Sequence, residues 1–411
     1  MKMKSIVVLV LALVVLSLPL YAGGEAETSA GTATGSSGPQ YGGTLTLGDA
    51  IIDPSTADVT EGQWPTTMYT SYVLDYLLTG DIDKYGPRGS NEFAFTSPLS
   101  VPEGYTNGGV IESFEVTSNK LIFHVRPGVQ WAAVGKEHVM ESRELTAEDI
   151  AFSLLRFWNA PPMTWLESSE FPDWLIGMYA EDRYTFVVEY KYFSAIWRGR
   201  LGAGWANDLY PPEVVEAGAH DWNNLVGTGP FMIKDYIPGS AMIYERNPLF
   251  YDKTTINGVE YEIPFIDEIV LPIIPDESTR MASLRTGKID YMGGLSLHFK
   301  DTLSATENLK VETVMGSWCH TLSFGLTDTD RNLPGTAIAD NVEVRRALML
   351  ATDREAIAKA SFFEADLYSW PVSTKNLPAF TPFDELPASA QELYEYNPEK
   401  AKKLLAEAGY G

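Results

Sequence analysis

Cys319 is the only cysteine in the 411 residues, and one thiol allows no internal disulfide. That is compatible with export without arguing for it. Basic residues are also scarce, with 30 Lys and Arg against 55 Asp and Glu and a net charge of −25. With no Lys/Arg cluster to offset that balance, nucleic acid is excluded as a partner. The acidity itself speaks for solubility and not for a ligand.

Catalytic patterns are missing as well. The five histidines, His124, His138, His220, His298 and His320, include no pair at the helical spacing of a zinc hydrolase, so each reads as structural or surface. Gly202-Ala203-Gly204 lacks the third glycine of a dinucleotide loop, and Thr286-Gly287-Lys288 lacks the glycine spacing and following hydroxyl of a Walker loop. Neither a Gly-x-Ser-x-Gly elbow nor a paired cysteine ligand set occurs. The expectation is a protein that is not an enzyme, with no catalytic residues, no metal and no cofactor. Any ATP hydrolysis belongs to a partner.

Long apolar runs are limited to one. Ile6 to Leu16 follows the basic Met1-Lys2-Met3-Lys4 and is too short to span a hydrocarbon core of about 30 Å. Residues 1–22 read as a secretory signal peptide cleaved after Leu20-Tyr21-Ala22. A lipoprotein needs a cysteine at that point, so the expected product is periplasmic or secreted and soluble, without a lipid anchor. Residues 23–40, almost all Gly, Ala, Ser, Thr and Glu, bury too little to offset the entropy of ordering and read as a flexible leader.

What remains, about 370 residues, exceeds one hydrophobic core and calls for at least two domains. Strand patterns occur at 44–47, 184–190, 232–236, 241–245 and 266–274, with Pro238-Gly239 suited to a type II turn. Thr146 followed by Asp149 is a capping box for a helix whose apolar positions are Ile150, Leu154 and Trp158. A helix from Asn341 to about Phe362 and another opened by Asn397-Pro398-Glu399 complete a mixed α/β chain without repeats.

Val226-Gly227-Thr228-Gly229-Pro230-Phe231 and Tyr244-Glu245-Arg246-Asn247-Pro248 resemble a signature of the family 5 extracellular solute-binding proteins, the peptide and nickel binders of ABC importers. Further segments follow in family order: Tyr41-Gly42-Gly43-Thr44-Leu45, Ile52-Asp53-Pro54, 123–131, 145–150, 285–290, 344–347 with Asp353-Arg354, and 397–401. The resemblance implies an α/β, two-lobed periplasmic binding protein (type II, cluster C-like) with mixed sheets. It implies a lobe I core at 41–65 and 180–275, an accessory subdomain at 66–179 and lobe II at 276–411. Family members continue past the 397–401 helix, so lobe II is expected to be incomplete and the product less stable than a full-length one. The loop from Ala132 to Arg143 departs from the family's Asp-Gly pair.

The implied function is capture of a peptide in an inter-lobe cleft, by a monomer that delivers it to an ABC permease and its ATPase. An oligosaccharide or nickel is the alternative ligand, and a secreted peptidase is the alternative of a different class. By the same resemblance the cleft is lined by Gly48, Asp49, Ala50 and Ile51 after the first strand. Tyr291, Met292 and Gly293 follow the Gly-x-Ile-Asp turn, and Trp318, Cys319 and His320 come from a third segment.

Overall fold

Alternating apolar residues at 242, 244, 269 and 271 meet across a sheet. The computed structural model describes residues 38–410 apart from 51, 88, 94, 96–100, 161–173, 196, 199–200, 202–207, 314–339 and 362–379. In the central sheet the strands run in the order Thr44–Thr46, Glu268–Pro272, Ala241–Arg246, Phe231–Ile237. The first pair is parallel and the other two are antiparallel. Met242 lies opposite Leu271 and Tyr244 opposite Ile269, and all four are buried, which is how a strand with one core face reads. The hairpin turn is type II as expected: Gly239 has φ +69°, and Ser240 N–H donates to the Ile237 carbonyl at 2.9 Å.

A second four-stranded sheet has the order Ile111–Val116, Lys120–Val125, Thr185–Tyr190, Leu175–Asp182. Phe123 and Phe186 pair across it with rings 5.7 Å apart. Helix Ala147–Trp158 packs on this sheet through Ile150, Ala151, Leu154 and Phe157, and the Thr146–Asp149 capping box is present. Strand Leu175–Asp182 crosses the boundary expected at residue 180, and Thr185–Tyr190, expected in the lobe I core, is hydrogen-bonded inside this accessory sheet. A division there would cut a hairpin, and one contiguous apolar cluster serves both sheets.

Residues past 276 form smaller clusters. Met281, Leu284, Ile289, Met292 and Leu303 make one; Ala347, Leu350 and Ala401, with Leu404 and Leu405 packed on them, make another. The helix expected from Asn341 to about Phe362 is two helices, Val342–Ala351 and Arg354–Ser361. Thr352 leaves helical geometry with ψ 110°, and the Asp353 carboxylate restarts the chain by accepting from Ala356 N–H at 2.9 Å. The expected signal peptide, and the leader through residue 37, lie outside the described residues. Among the described residues no helix is long and apolar enough to cross a membrane.

Candidate functional site

The segments that stood out in the sequence are mostly joints between elements. Gly227 and Gly229 pass so close to the chain leaving helix Val59–Thr70 that an added Cβ would stand 1.9 Å and 2.7 Å from the Val73 carbonyl oxygen. Gly229 N–H donates to that oxygen at 2.8 Å, and Asn247 Nδ2 donates to the Gly229 carbonyl at 2.7 Å. Asp53 accepts from the Tyr236 hydroxyl at 2.8 Å and from Gly239 N–H at 3.0 Å, pinning the hairpin turn. Trp131 Nε1 donates to Asp149 at 3.3 Å. These contacts position the ends of the strands.

The first strand ends against the segment after helix Glu277–Arg285. Gly287, at φ +68°, turns the chain so that Asp290 reaches back and its carboxylate accepts from Thr46 N–H at 2.7 Å. Leu47 and Tyr291 then form a parallel bridge. Gly48 N–H donates to the Tyr291 carbonyl at 2.8 Å, and Gly293 N–H donates to Asp49 Oδ1 at 2.7 Å. A Cβ on Gly48 would press on Ile289 at 3.0 Å, and one on Gly293 would stand 3.1 Å from the Tyr291 hydroxyl. Glycine at both positions permits this close approach.

Two of the three expected lining segments therefore meet, although they are 244 residues apart at Asp49 and Gly293. Their side chains divide. Ala50 is buried in the large core and Met292 in the smaller cluster, whereas Asp49 is half-buried and Tyr291 is 55% exposed. Tyr72, which the sequence did not single out, belongs beside them. Its hydroxyl is pushed up to about 12, by burial first and then by the neighbouring Asp49 carboxylate. Only the fold could reveal it, because Tyr72 follows helix Val59–Thr70 without any local motif. Ile51, Trp318, Cys319 and His320 lie outside the described residues. Chemically, the junction offers a carboxylate acceptor and two phenols beside a strand end whose main-chain groups bond to one another. Among the described residues no three His, Cys, Asp or Glu side chains are grouped to hold a metal.

A groove of about 500 Å³ lies elsewhere, lined by Arg143, Glu144, Asp149, Arg183 and Glu213 among others. Arg143 is hydrogen-bonded to both Asp149, at 2.7 Å, and Glu213, at 2.7 Å, and Arg183 pairs with Glu144 at 2.7 Å. Desolvation raises the Asp149 carboxyl, yet Arg143 and the Thr146 N–H outweigh it and hold the group below the usual carboxylate range. These charges satisfy one another, so the groove reads as an ion-pair network that ties helix Ala147–Trp158 to the start of helix Pro212–Gly218.

Residues 106–411 match the family described as "Bacterial extracellular solute-binding proteins, family 5 Middle". Heme-binding protein A of Haemophilus influenzae is 28% identical over 73% of this chain and 53% of its own length. The dipeptide-binding protein of Escherichia coli is 27% identical over 73% of this chain and 54% of its own. The chain thus spans about half the length of the curated relatives it matches. Among solved structures, the periplasmic binding protein DppA of Helicobacter pylori, in complex with the peptide STSA, superposes with TM-score 0.62 at 20% identity, covering 90% of this chain and 67% of that one. The mixed sheets are those of the two-lobed periplasmic binding proteins. With the family matched over well over half of the residues, the chain belongs to the bacterial extracellular solute-binding proteins of family 5.

Proposed function

We propose that this protein is the extracytoplasmic substrate-binding component of an ABC importer, taking a peptide between its lobes and passing it to a membrane permease with its ATPase. The observation that carries this reading is the junction at the end of the first strand, where main-chain groups of residues 46–48 and 290–293 meet beside Asp49, Tyr72 and Tyr291. Their bonds to one another fix the end of the strand, and the half-buried Asp49 and exposed Tyr291 beside it suit a peptide, which can be held at a strand end without its side chains being read. The names of the relatives support the class: one binds dipeptides, and one solved neighbour holds a peptide.

In this reading Gly48, Asp49, Tyr291 and Gly293 form one wall, with Ala50 and Met292 packed behind them. Ile51 and the 318–320 segment complete the site. The chain acts as a monomer outside the cytoplasmic membrane after removal of residues 1–22. No chemistry is performed on the ligand.

Native mass spectrometry after incubation with a mixture of short peptides tests the proposal. Intact peptides retained and recovered uncut support it. Cleaved peptides would overturn the binding-protein reading. Failure to retain any peptide, with uptake of heme, a nickel chelate or an oligosaccharide, would overturn the ligand class.

A further inference from the structure

Two carboxylic acids lie against the large core with hydroxyl groups and, among the described residues, no cation around them. Asp208 is 2% exposed. Thr70 Oγ1 donates to its Oδ1 at 3.2 Å; its Oδ2 is enclosed without a well-aligned donor among the described residues, although the Tyr76 hydroxyl stands against the carboxylate. Asp75 keeps some exposed surface as a residue, but its carboxylate end is desolvated and accepts from Thr228 Oγ1, at 3.0 Å, and from the Tyr251 hydroxyl. The two positions are tied together, because Leu209 N–H donates to the Asp75 carbonyl at 3.2 Å. Tyr76 feels both negative charges.

The charged neighbours give little relief. Asp252 adds a second negative charge near Asp75. Arg126 lies over the Tyr251 ring at 5.6 Å, one phenol away from the acid. On the other side Arg156 lies over the Tyr210 ring at 5.7 Å, Tyr210 feels the charge of Asp208, and Arg156 is already paired with Asp58.

We propose that Asp208, with Asp75 beside it, is a proton-binding site that couples the stability of the large core to the ambient pH. An enclosed carboxylate without a cation is strongly disfavoured as an anion, and a proton removes the charge and turns an idle oxygen into a donor. Burial is the largest cause in both cases, pushing Asp208 up to about 7 and Asp75 up to about 6. In the unfolded chain both acids titrate near 4. Between that value and the folded ones, the folded chain keeps protons that the unfolded chain has released. Stability therefore falls as the pH rises through this window, and the full loss is reached above about 7. The proposal stands independently of what the protein binds.

Thermal melts of the wild type and of Asp208→Asn, in parallel from about pH 5 to about pH 8, test it. Asparagine reproduces the neutral acid and cannot titrate. Comparison at each pH cancels the general self-repulsion of an acidic chain. The wild type is expected to lose ground to the variant as the pH rises, by on the order of 5 °C across the range. A gap that stays flat would overturn the proposal. Should the variant not fold, difference infrared spectroscopy of the wild type decides: a buried protonated carboxyl band present at the acid end and lost at the alkaline end supports the site, and its absence at the acid end overturns it.

Discussion

Among the described residues, the large core and the clusters beyond residue 276 differ in scale. The first joins two sheets and helix Ala147–Trp158 around Trp131, Trp174, Trp197, Tyr190, Tyr210 and Tyr244. The second rests, among the described residues, on Met281, Leu284, Ile289, Met292 and Leu303. Removing one side chain from the first region leaves a cavity walled by many neighbours. Removing one from the second takes away a large part of the cluster. The junction proposed to take the ligand lies where the two regions meet, with Ala50 in the large core and Met292 in the smaller cluster. Unequal local stability of this kind is the ordinary basis for motion between parts of a chain.

The comparison breaks most visibly at Phe123. This side chain is fully buried and packed on Phe114, Phe186 and Trp197, and Phe123→Ala is expected to destabilise the large region by about 4 kcal/mol. Denaturant melts followed by tryptophan fluorescence measure it, and a loss below about 1 kcal/mol would show that the core is not as closely packed as described.

Next comes the ion-pair network. Arg143→Ala leaves the nearly buried Asp149 carboxylate without its main partner and should lower stability by about 3 kcal/mol near neutral pH. Because the folded Asp149 carboxyl lies below its ordinary range, its contribution is present above about pH 4 and is lost as the pH falls. The difference between wild type and variant should therefore shrink on acidification, opposite in sign to the Asp208 effect. A difference independent of pH would remove Asp149 from the account.

Leu303→Ala sharpens the contrast, with an expected cost of about 2 kcal/mol confined to its own cluster. Hydrogen exchange should accelerate in helix Glu277–Arg285 while strand Lys120–Val125 keeps its protection. Equal loosening of both would mean that the two regions unfold as one. The smallest effect is at the junction. Tyr291→Ala, at a half-exposed side chain, should weaken peptide binding by about 1 kcal/mol with little change in melting temperature. Calorimetric titration reads the first and a thermal melt the second; unchanged affinity would move the site away from Tyr291.

Much of the local structure was legible in the residues. The Thr146–Asp149 capping box, the Pro238-Gly239 turn and the cap at Asn397 each depend on groups within three positions of one another. The helix expected from Asn341 to about Phe362 was less legible, because the spacing of apolar residues does not mark the break that the polar Thr352 and Asp353 make by bonding locally. The resemblance placed residues 48–50 and 291–293 at one site, and the fold then sorted them into a half-buried Asp49 and an exposed Tyr291 on one side and Ala50 and Met292 in the interior.

By itself, then, the sequence determined the elements, their caps and turns, and the family, because periodicity and short-range hydrogen bonding are properties of neighbouring residues. Tertiary structure decided which segments meet. Asp49 is joined to a glycine 244 residues away, Tyr72 is drawn to the same junction, and Asp208 is enclosed with no cation among the described residues while Asp149 finds Arg143. The desolvation and pairing of a charge depend on what distant parts of the chain place around it, and no local pattern encodes that.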